Sequence, residues 1–278
     1  MNELLNILFW NLHGKSIEKI IAECLIENDI SMAAFSEFNG IDFNELEESL
    51  FNQYSLVHSI YMEPSQTQGN IHTRLIVKNS IEATAIQEQG RYSIFKIKTS
   101  MQQYILVAIH LQDRRNKKTI DRIHTIEKIK ADIEKYEKEL KCNSTIVIGD
   151  FNANPYDEEL LSVHGFNAVL FKDIILSNEY RKYEFLEYKH FYNPILDFIS
   201  ASNKMHGSFY HSGDSYTPIW HCVDQILLRK ELVHNLGELK YIMKIGDTNL
   251  IKIKRPDDSI SDHLPLFATI KEEVDLDE

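Results

Sequence analysis

The chain has 278 residues, of which 43% are hydrophobic and 26% are charged, and its formal net charge is −12. This composition excludes fibrous and intrinsically disordered proteins and is typical of a globular protein with a large core. A chain this acidic does not attract nucleic acid through its overall charge, so a polyanionic substrate requires metal ions or a local basic patch.

The cysteine content and the apolar runs bear on compartment and domain number. Three scattered cysteines fit neither a disulfide framework nor a CxxC zinc pattern. The first residues lack the basic region of a signal peptide, and no apolar run approaches the roughly 20 residues of a membrane helix. We therefore expect a cytoplasmic protein with no membrane-spanning segment, and the sequence indicates no protein partner. The absence of a Pro/Gly/Ser-rich linker predicts one domain over residues 1–271, followed by an acidic tail over residues 272–278.

Hydrophobic periodicity predicts alternating strands and helices along the chain. In order, these are a strand over Leu4–Trp10, a helix over Ser16–Glu27 with Ser16 as its N-cap, a strand over Ile30–Phe35, a helix over Asp42–Phe51, a meander of short strands between Ser55 and His110, an amphipathic helix over Lys118–Leu140, the strand STIVIG, a short helix over Asp157–Val163, and strands at CVDQILL, ELKYIMKI and LPLFATI. Strands outnumber helices. This pattern predicts an α/β protein with two packed mixed sheets and helices outside them.

Polar residues end several hydrophobic runs, at positions where packing does not require them. They are Asn11 in LFWNLHG, Glu37 in AAFSEFN, His110 in LVAIHLQD, Asp150 and Asn152 in VIGDFNA, Asp224 in CVDQILL, and Asp262 and His263 in SISDHLPLF. Singly, Glu37 fits a solvated loop acid, Asp150 fits an Asx-turn, and His110 fits a hydrogen-bonded core histidine. Asp224 lies among apolar residues, and a buried carboxylate needs a partner, for which His263 is the candidate.

In this order and spacing, the set resembles the endonuclease/exonuclease/phosphatase superfamily, which includes deoxyribonuclease I and exonuclease III. The GDFN motif at 149–152, the SDHLP motif at 261–265 and the early Glu37 each match that family, and the resemblance spans the chain from Asn11 to His263. It implies a deoxyribonuclease I-like fold, a four-layered α/β sandwich of two packed mixed β-sheets flanked by helices. It also implies hydrolysis of phosphate esters.

The resemblance implies Mg²⁺ or Mn²⁺ as the cofactor. Carboxylates alone repel a phosphate, whereas a hard divalent cation prefers oxygen ligands and bridges carboxylates to phosphate oxygens. Glu37 is the leading predicted metal ligand, with Asn11 beside it and Asp262 as a further candidate.

The resemblance also implies catalytic roles for the remaining residues. Asp150 positions or deprotonates the attacking water, and Asn152 donates its amide hydrogens to the scissile phosphate. His263 acts as a general base or as a cation facing the phosphate, while Asp224 holds its ring and raises its pKa. His110 is the second histidine, as a general acid or a phosphate ligand.

Two motifs bear on the kind of phosphate ester. His110 followed by Leu111 is similar to the histidine-bearing branch of the superfamily, with deoxyribonuclease I, sphingomyelinases and phosphatases, which makes repair of abasic sites less expected. The segment PIWHCVDQI differs from the PxWCDR motif of inositol polyphosphate phosphatases by two extra residues and by Gln225 in place of arginine. This difference disfavours an inositol phosphate as the substrate.

The loop QDRRNKK over residues 112–118 holds four basic residues directly after His110. One interpretation is a clamp for a phosphate backbone with Arg114 and Arg115, and the alternative is a loop of solvated charges. Arg74 is a further candidate for contact with phosphate.

Three functions remain open from the sequence. The first is a divalent-metal-dependent phosphodiesterase acting on nucleic acid, most like a deoxyribonuclease. The second is a phosphoesterase acting on nucleotides, phosphoinositides or phospholipid head groups. The third is a binding protein without activity, which is disfavoured because every catalytic position is filled. Zinc hydrolases and serine hydrolases are set aside, because neither an HExxH nor a GxSxG motif is present.

Overall fold

The computed structural model describes residues 3–60, 71–115, 117–201, 207–211 and 220–272. The first half of these residues forms β1 (Glu3–Asn11), α1 (Glu18–Glu27), β2 (Met32–Ser36), α2 (Phe43–Ser49), β3 (Tyr54–Leu56), β4 (Thr73–Lys78), β5 (Glu82–Gln89), β6 (Tyr92–Lys98), β7 (Gln103–His110), α3 (Thr119–Leu140) and β8 (Thr145–Asp150).

The second half forms shorter elements. They are α4 (Glu158–Leu161), β9 (Ala168–Val169), α5 (Lys172–Ser177), β10 (Tyr180–Tyr183), β11 (Leu186–Lys189), β12 (Phe191–Tyr192), α6 (Ile195–Ala201), β13 (Phe209–Tyr210), β14 (Trp220–His221), β15 (Asp224–Leu228), a 3-10 turn (Lys230–Leu232), β16 (Leu236–Tyr241), β17 (Lys244–Ile245), β18 (Thr248–Asn249), β19 (Ile251–Lys252), β20 (Arg255–Pro256) and β21 (Leu266–Glu272).

Two mixed sheets form the centre of the fold. The first has six strands in the order β16-β21-β1-β2-β4-β3, and the second has seven in the order β5-β6-β7-β8-β15-β12-β9. In the first sheet β1 and β2 are parallel, and in the second β7 is parallel to β8 and β9 to β12, while the other neighbouring strands are antiparallel. The predicted α/β fold with two packed mixed sheets is confirmed.

The second sheet is buried on both faces, as the alternation of side chains along β7 shows. Leu106 belongs to the core between the sheets, whereas its neighbour Val107 packs on the outer side against α3. The helix contributes Ile126, Ile129 and Ile133 to this outer layer, at steps of three and four residues. Successive side chains of β7 point to opposite faces, and both faces are buried. The strand therefore needs a nearly continuous run of apolar residues.

Most predicted elements are present, with differences at their ends. The long amphipathic helix is confirmed as α3, but Ile120 in its first turn is exposed instead of packed on the sheet. Ser16 is not the N-cap of α1, which begins at Glu18; its hydroxyl donates instead to the carbonyl oxygen of Gly40. Within the meander predicted between Ser55 and His110, β5 has a weak sequence signal, because EATAIQEQ has few apolar residues; its pairing with β6 also has a register irregularity.

Glu272 belongs to the sheet and not to the predicted acidic tail. It ends β21, is buried, and accepts hydrogen bonds from the hydroxyls of Thr99 and Tyr104 at 2.6 and 2.8 Å. Residues 273–278 of the predicted tail lie outside the described residues. Within the described part of the chain, no helix combines the length and apolar character needed to cross a membrane.

Candidate active site

The polar residues that the sequence places at strand ends lie together, at the side of the two sheets where these central strands begin or end. This place is called the sheet edge below. Asn11 ends β1 opposite Ser36 of the parallel strand β2, and Glu37 follows directly. In the second sheet, His110 ends β7 opposite Asp150 of the parallel strand β8. Asp224 begins β15, which is antiparallel to β8, and is paired with Asp150. The first residue of β15 therefore lies beside the last residue of β8.

The amide of Asn11 connects the two sheets across this edge. Its Nδ2 atom donates to Oε1 of Glu37 and to Oδ2 of Asp150, each at 3.1 Å. Its side-chain oxygen accepts from the backbone N–H of His13 at 3.1 Å. An amide suits this place because it donates to both carboxylates at once and adds no charge. Asn11 therefore holds the carboxylates of Glu37 and Asp150 close together.

The backbone after β8 is shaped to present Asp150 and Asn152. A Cβ atom at Gly149 would lie 2.1 Å from the carbonyl oxygen of Ile109, so only glycine fits against the neighbouring strand. Asn152 has a left-handed φ of 47°, which asparagine tolerates better than most residues. Its backbone N–H donates to Oδ1 of Asp150, and its side-chain amide donates to Oδ2 of Asp150 and to the carbonyl oxygen of Leu111.

Asp224 and His263 form the buried pair that the sequence analysis predicted. Nδ1 of His263 lies 2.8 Å from Oδ2 of Asp224, and both side chains are buried. Burial acts to lower the pKa of His263, but attraction by Asp224, the hydrogen bond to it and the further acids nearby raise this pKa to about 10. The imidazole is therefore held as a cation at neutral pH.

His110 and Asp150 differ from that pair in their electrostatic environment. Burial lowers the pKa of His110 to about 4, although Glu37 acts in the opposite direction, so the ring is neutral at pH 7. Its Nε2 atom lies 3.5 Å from Glu37 and 3.7 Å from Asp150. Burial raises the pKa of Asp150 to about 7, against the attraction of His263. The edge thus carries one cationic and one neutral imidazole and a carboxyl group poised to exchange a proton.

The oxygen atoms at this edge fit a hard divalent cation. The carboxylate of Glu37 is partly exposed, and Oδ1 of Asp262 is buried and forms no hydrogen bond of good geometry with the described residues, although a ring nitrogen of His13 lies nearby. His13 lies between them, with Nδ1 3.2 Å from Oδ1 of Asp262 and 3.7 Å from Oε2 of Glu37. Asp150 and Asp224 with His263 form a second group, whose ligand atoms lie within 4.8 Å of one another. A protonated His263 is a poor metal ligand, so Glu37 and its neighbours fit the cation better.

Comparisons with solved structures identify the fold. The endonuclease domain of TRAS1, a telomere-specific non-LTR retrotransposon, superposes with a TM-score of 0.57 at 12% identity, over 99% of this chain and 100% of that chain. TDP2 of D. rerio in complex with single-strand DNA product gives 0.56 at 16% identity, over 96% and 98%. An endonuclease/exonuclease/phosphatase family protein from Bacteroides thetaiotaomicron gives 0.59 at 9% identity, over 99% and 100%.

The chain has the endonuclease/exonuclease/phosphatase fold. The deoxyribonuclease I-like architecture that the motifs implied is confirmed, with its two mixed sheets and flanking helices. Identities of 9–16% establish the fold alone. No family model matches the chain. No curated protein matches it either.

Within this fold, the three arginines predicted to contact phosphate are paired with acidic side chains. Arg114 lies 2.8 Å from Asp157 and 2.7 Å from Glu159, and the exposed Arg115 pairs with Asp113 two residues before it. Arg74 stacks on Phe38 at 5.2 Å and lies 3.7 Å from the buried Glu88. The contact of these arginines with phosphate stays a prediction.

Several residues that sequence reasoning did not single out hold the predicted ones in this fold. The hydroxyl of Tyr241 donates to the carbonyl oxygen of Asp224, whose N–H donates to Ser208. The indole of Trp10 donates to the carbonyl oxygen of His263 at 3.0 Å. These contacts join segments far apart in the sequence, so no local pattern signals them. His13, in contrast, lies two residues after Asn11 and was accessible to sequence reasoning.

Proposed function

We propose that this protein is a divalent-metal-dependent phosphodiesterase that cleaves nucleic acid. The observation that carries the proposal is the convergence of side chains from β1, β7, β8, β15, the residue after β2 and the SDHLP segment at one sheet edge. Carboxylates, an amide and two imidazoles together supply ligands, hydrogen-bond donors and proton-transfer groups for a phosphodiester. The likeness to the TRAS1 endonuclease domain and to TDP2 bound to single-strand DNA product supports nucleic acid as the substrate.

Glu37 is the proposed principal metal ligand, with Asn11 and Asp262 as its neighbours. Their oxygen donors suit Mg²⁺ or Mn²⁺ better than the softer metals. The bound cation would neutralise charge that develops on the phosphate oxygens. The side-chain amide of Asn11 donates to both Glu37 and Asp150, which keeps these two carboxyl groups adjacent.

The other residues act on the phosphate and on protons. Asn152 would turn the amide hydrogen that faces Asp150 toward a nonbridging oxygen, and the cationic His263 would stabilise negative charge from the opposite side. A pKa of about 7 suits Asp150 to accept the proton of the attacking water. The neutral His110 is a hydrogen-bond donor to the phosphate in this scheme. The raised pKa of His263 favours its role as a cation over that of a general base.

A second candidate is a phosphoesterase for small substrates such as nucleotides or phospholipid head groups. The observation that favours it is the pairing of Arg74, Arg114 and Arg115 with acids, which leaves them less available to a long phosphate backbone. The net charge of −12 also disfavours the binding of a long polyanion.

The purified protein tests the proposal directly. Plasmid, single-stranded RNA, bis-p-nitrophenyl phosphate and a small phosphomonoester are incubated with Mg²⁺ or Mn²⁺, with and without EDTA. Nucleic-acid cleavage that stops in EDTA is expected. Release of inorganic phosphate from the monoester with intact nucleic acid would support the second candidate, and inactivity on every substrate would contradict both.

Single substitutions then test the assignment of residues. Glu37→Gln, Asp150→Asn and His263→Asn are each expected to lower turnover by roughly 100-fold or more. The exposed His124 on α3 offers a matched control, since His124→Asn leaves the sheet edge intact. Wild-type turnover in all three site variants would overturn the assignment.

A further inference from the structure

A cleft beside the candidate active site has features of a binding site for part of a substrate. Its volume is about 490 Å³, and His13 and Asp262 of the active-site edge lie in its wall. The rest of the wall includes Phe209, Tyr210 and the basic residues Lys15 and Arg255, which the roles proposed above do not use. The cleft is therefore continuous with the place where a scissile phosphate would lie.

Two half-buried aromatic rings line the side of the cleft next to His263. Phe209 is bridged to His263 through the backbone, and the two rings lie 4.8 Å apart at 36°. Tyr210 packs edge-on against Trp220 at 5.3 Å, which fixes the position of its ring. Rings held in this way next to a catalytic group offer a preformed surface on which a planar group can stack.

The basic residues of the cleft differ from the three arginines discussed above. Among the described residues, no acid lies within ion-pair distance of the Lys15 ammonium. Arg255 has a loose contact of 3.6 Å with the exposed Asp258, a pair that contributes little in water. The cleft thus offers two cationic side chains next to a ring surface, in a wall that also contains Asp258 and Asp262.

We propose that this cleft binds the nucleotide that flanks the scissile phosphate in a single-stranded segment. The base stacks on Tyr210, and the next backbone phosphate is held by Lys15 and Arg255. A base paired within a duplex does not expose its face, so stacking requires an unpaired nucleotide. This inference rests on the proposed phosphodiesterase function and names its substrate class as single-stranded nucleic acid.

Binding without turnover provides the first test. Fluorescence anisotropy of a short fluorescein-labelled single-stranded DNA is measured in EDTA, so that cleavage does not interfere. Tyr210→Ala is expected to raise the Kd by roughly 10-fold, in keeping with the loss of one stacked base, whereas Tyr210→Phe keeps the ring and should stay within about 2-fold of the wild type. Equal affinities of the wild type and Tyr210→Ala would overturn the stacking.

The basic residues are tested by charge removal. The double variant Lys15→Ala with Arg255→Ala is expected to weaken binding and to reduce the slope of log Kd against log salt by about 1 to 2. A matched double variant, Lys244→Ala with Arg181→Ala, removes two exposed charges outside the cleft. Equal losses in the two double variants would show a general charge effect and would contradict the subsite.

Kinetics separate failure of the subsite from failure of the proposed function. Activity on bis-p-nitrophenyl phosphate tests the phosphodiesterase itself, because that substrate has no neighbouring nucleotide. The ratio of kcat/KM for the oligonucleotide to kcat/KM for this small diester is expected to fall by roughly 10-fold in Tyr210→Ala, through KM. An active enzyme with an unchanged ratio would refute the subsite alone, whereas a wild type inactive on both substrates would refute the function.

Discussion

Arg122 donates from Nη2 to the carbonyl oxygen of Asn152 at 3.0 Å, and thereby ties helix α3 to the segment that ends the GDFN motif. The same atom donates to the carbonyl oxygen of Phe151 at 2.8 Å. Arg122 is fully buried, and its other terminal nitrogen lies 3.0 Å from the buried Glu159. Because Asn152 has a left-handed backbone conformation, these contacts oppose its relaxation to a commoner one.

Arg122→Lys should therefore impair turnover through the position of Asn152. In arginine, Nη2 binds the two carbonyl oxygens while Nη1 lies beside Glu159, and the single ammonium of a lysine cannot occupy both places. We expect kcat on a small diester to fall about 10-fold or more with KM little changed, since a displacement of about 1 Å near the reacting atoms is costly. Steady-state kinetics measure both values.

Arg229→Lys is the matched control for this substitution. Arg229 is also fully buried, pairs with Glu137 at 2.8 Å, and donates to a backbone carbonyl oxygen, that of His190. It follows β15 at the end opposite Asp224. Urea unfolding should show similar losses of stability in the two variants, while Arg229→Lys keeps its turnover. Equal losses of turnover would assign Arg122 a purely structural role.

The contrast between Asp150 and Arg122 shows how far the sequence determines the site. Asp150 was predictable because a β-branched run leads directly into it, and the parallel pairing of β7 with β8 then places His110 opposite it. Arg122 was predictable only as part of an amphipathic helix, since its partners lie about 30 residues away and the packing angle of α3 decides the contact. Arg114 shows the same limit, because its partner Glu159 lies in α4, in another segment of the chain.

The Asp224–His263 pair should give stability a specific dependence on pH. The pKa of His263 is raised from 6.5 to about 10 in the folded chain, so the contribution of the pair is fully present below about pH 6.5. It is lost as pH rises from there through 10, because the folded chain then retains a proton that the unfolded chain has released. The difference in unfolding free energy between the wild type and Asp224→Asn should shrink over this range.

Denaturant unfolding at several pH values checks this expectation, with the exposed Asp247→Asn as the control. The difference for Asp224→Asn should be roughly 3 kcal/mol below pH 6.5, as for other buried pairs that lose one partner. An NMR titration of the His263 ring in metal-free protein measures the pKa itself. A ring that titrates near 6.5 in the wild type would contradict the pairing.

Metal binding should stabilise the fold through Glu37. A ligand that binds only the folded chain at 100 times its Kd raises the unfolding free energy by about 2.7 kcal/mol. Thermal unfolding with and without Mn²⁺ should show this shift in the wild type and lose most of it in Glu37→Gln. The exposed Glu45→Gln provides the control for removal of one carboxylate. A full Mn²⁺ shift in Glu37→Gln would place the cation at the group formed by Asp150, Asp224 and His263 instead.

Gly149→Ala should damage the strand that presents Asp150. The added methyl group would lie 2.1 Å from the backbone oxygen of Ile109 on the parallel neighbour, and backbone cannot move aside as the end of a flexible side chain can. We expect a loss of about 3 kcal/mol or more in unfolding free energy, above the usual cost of overpacking.

Gly14→Ala is the comparison, because its φ of 66° is unfavourable for alanine but nothing lies within 4 Å of the new methyl group. Its cost should be near 1 kcal/mol, from backbone strain alone. Equal losses in the two variants, measured by urea unfolding, would show that the contact between β7 and β8 does not select this glycine.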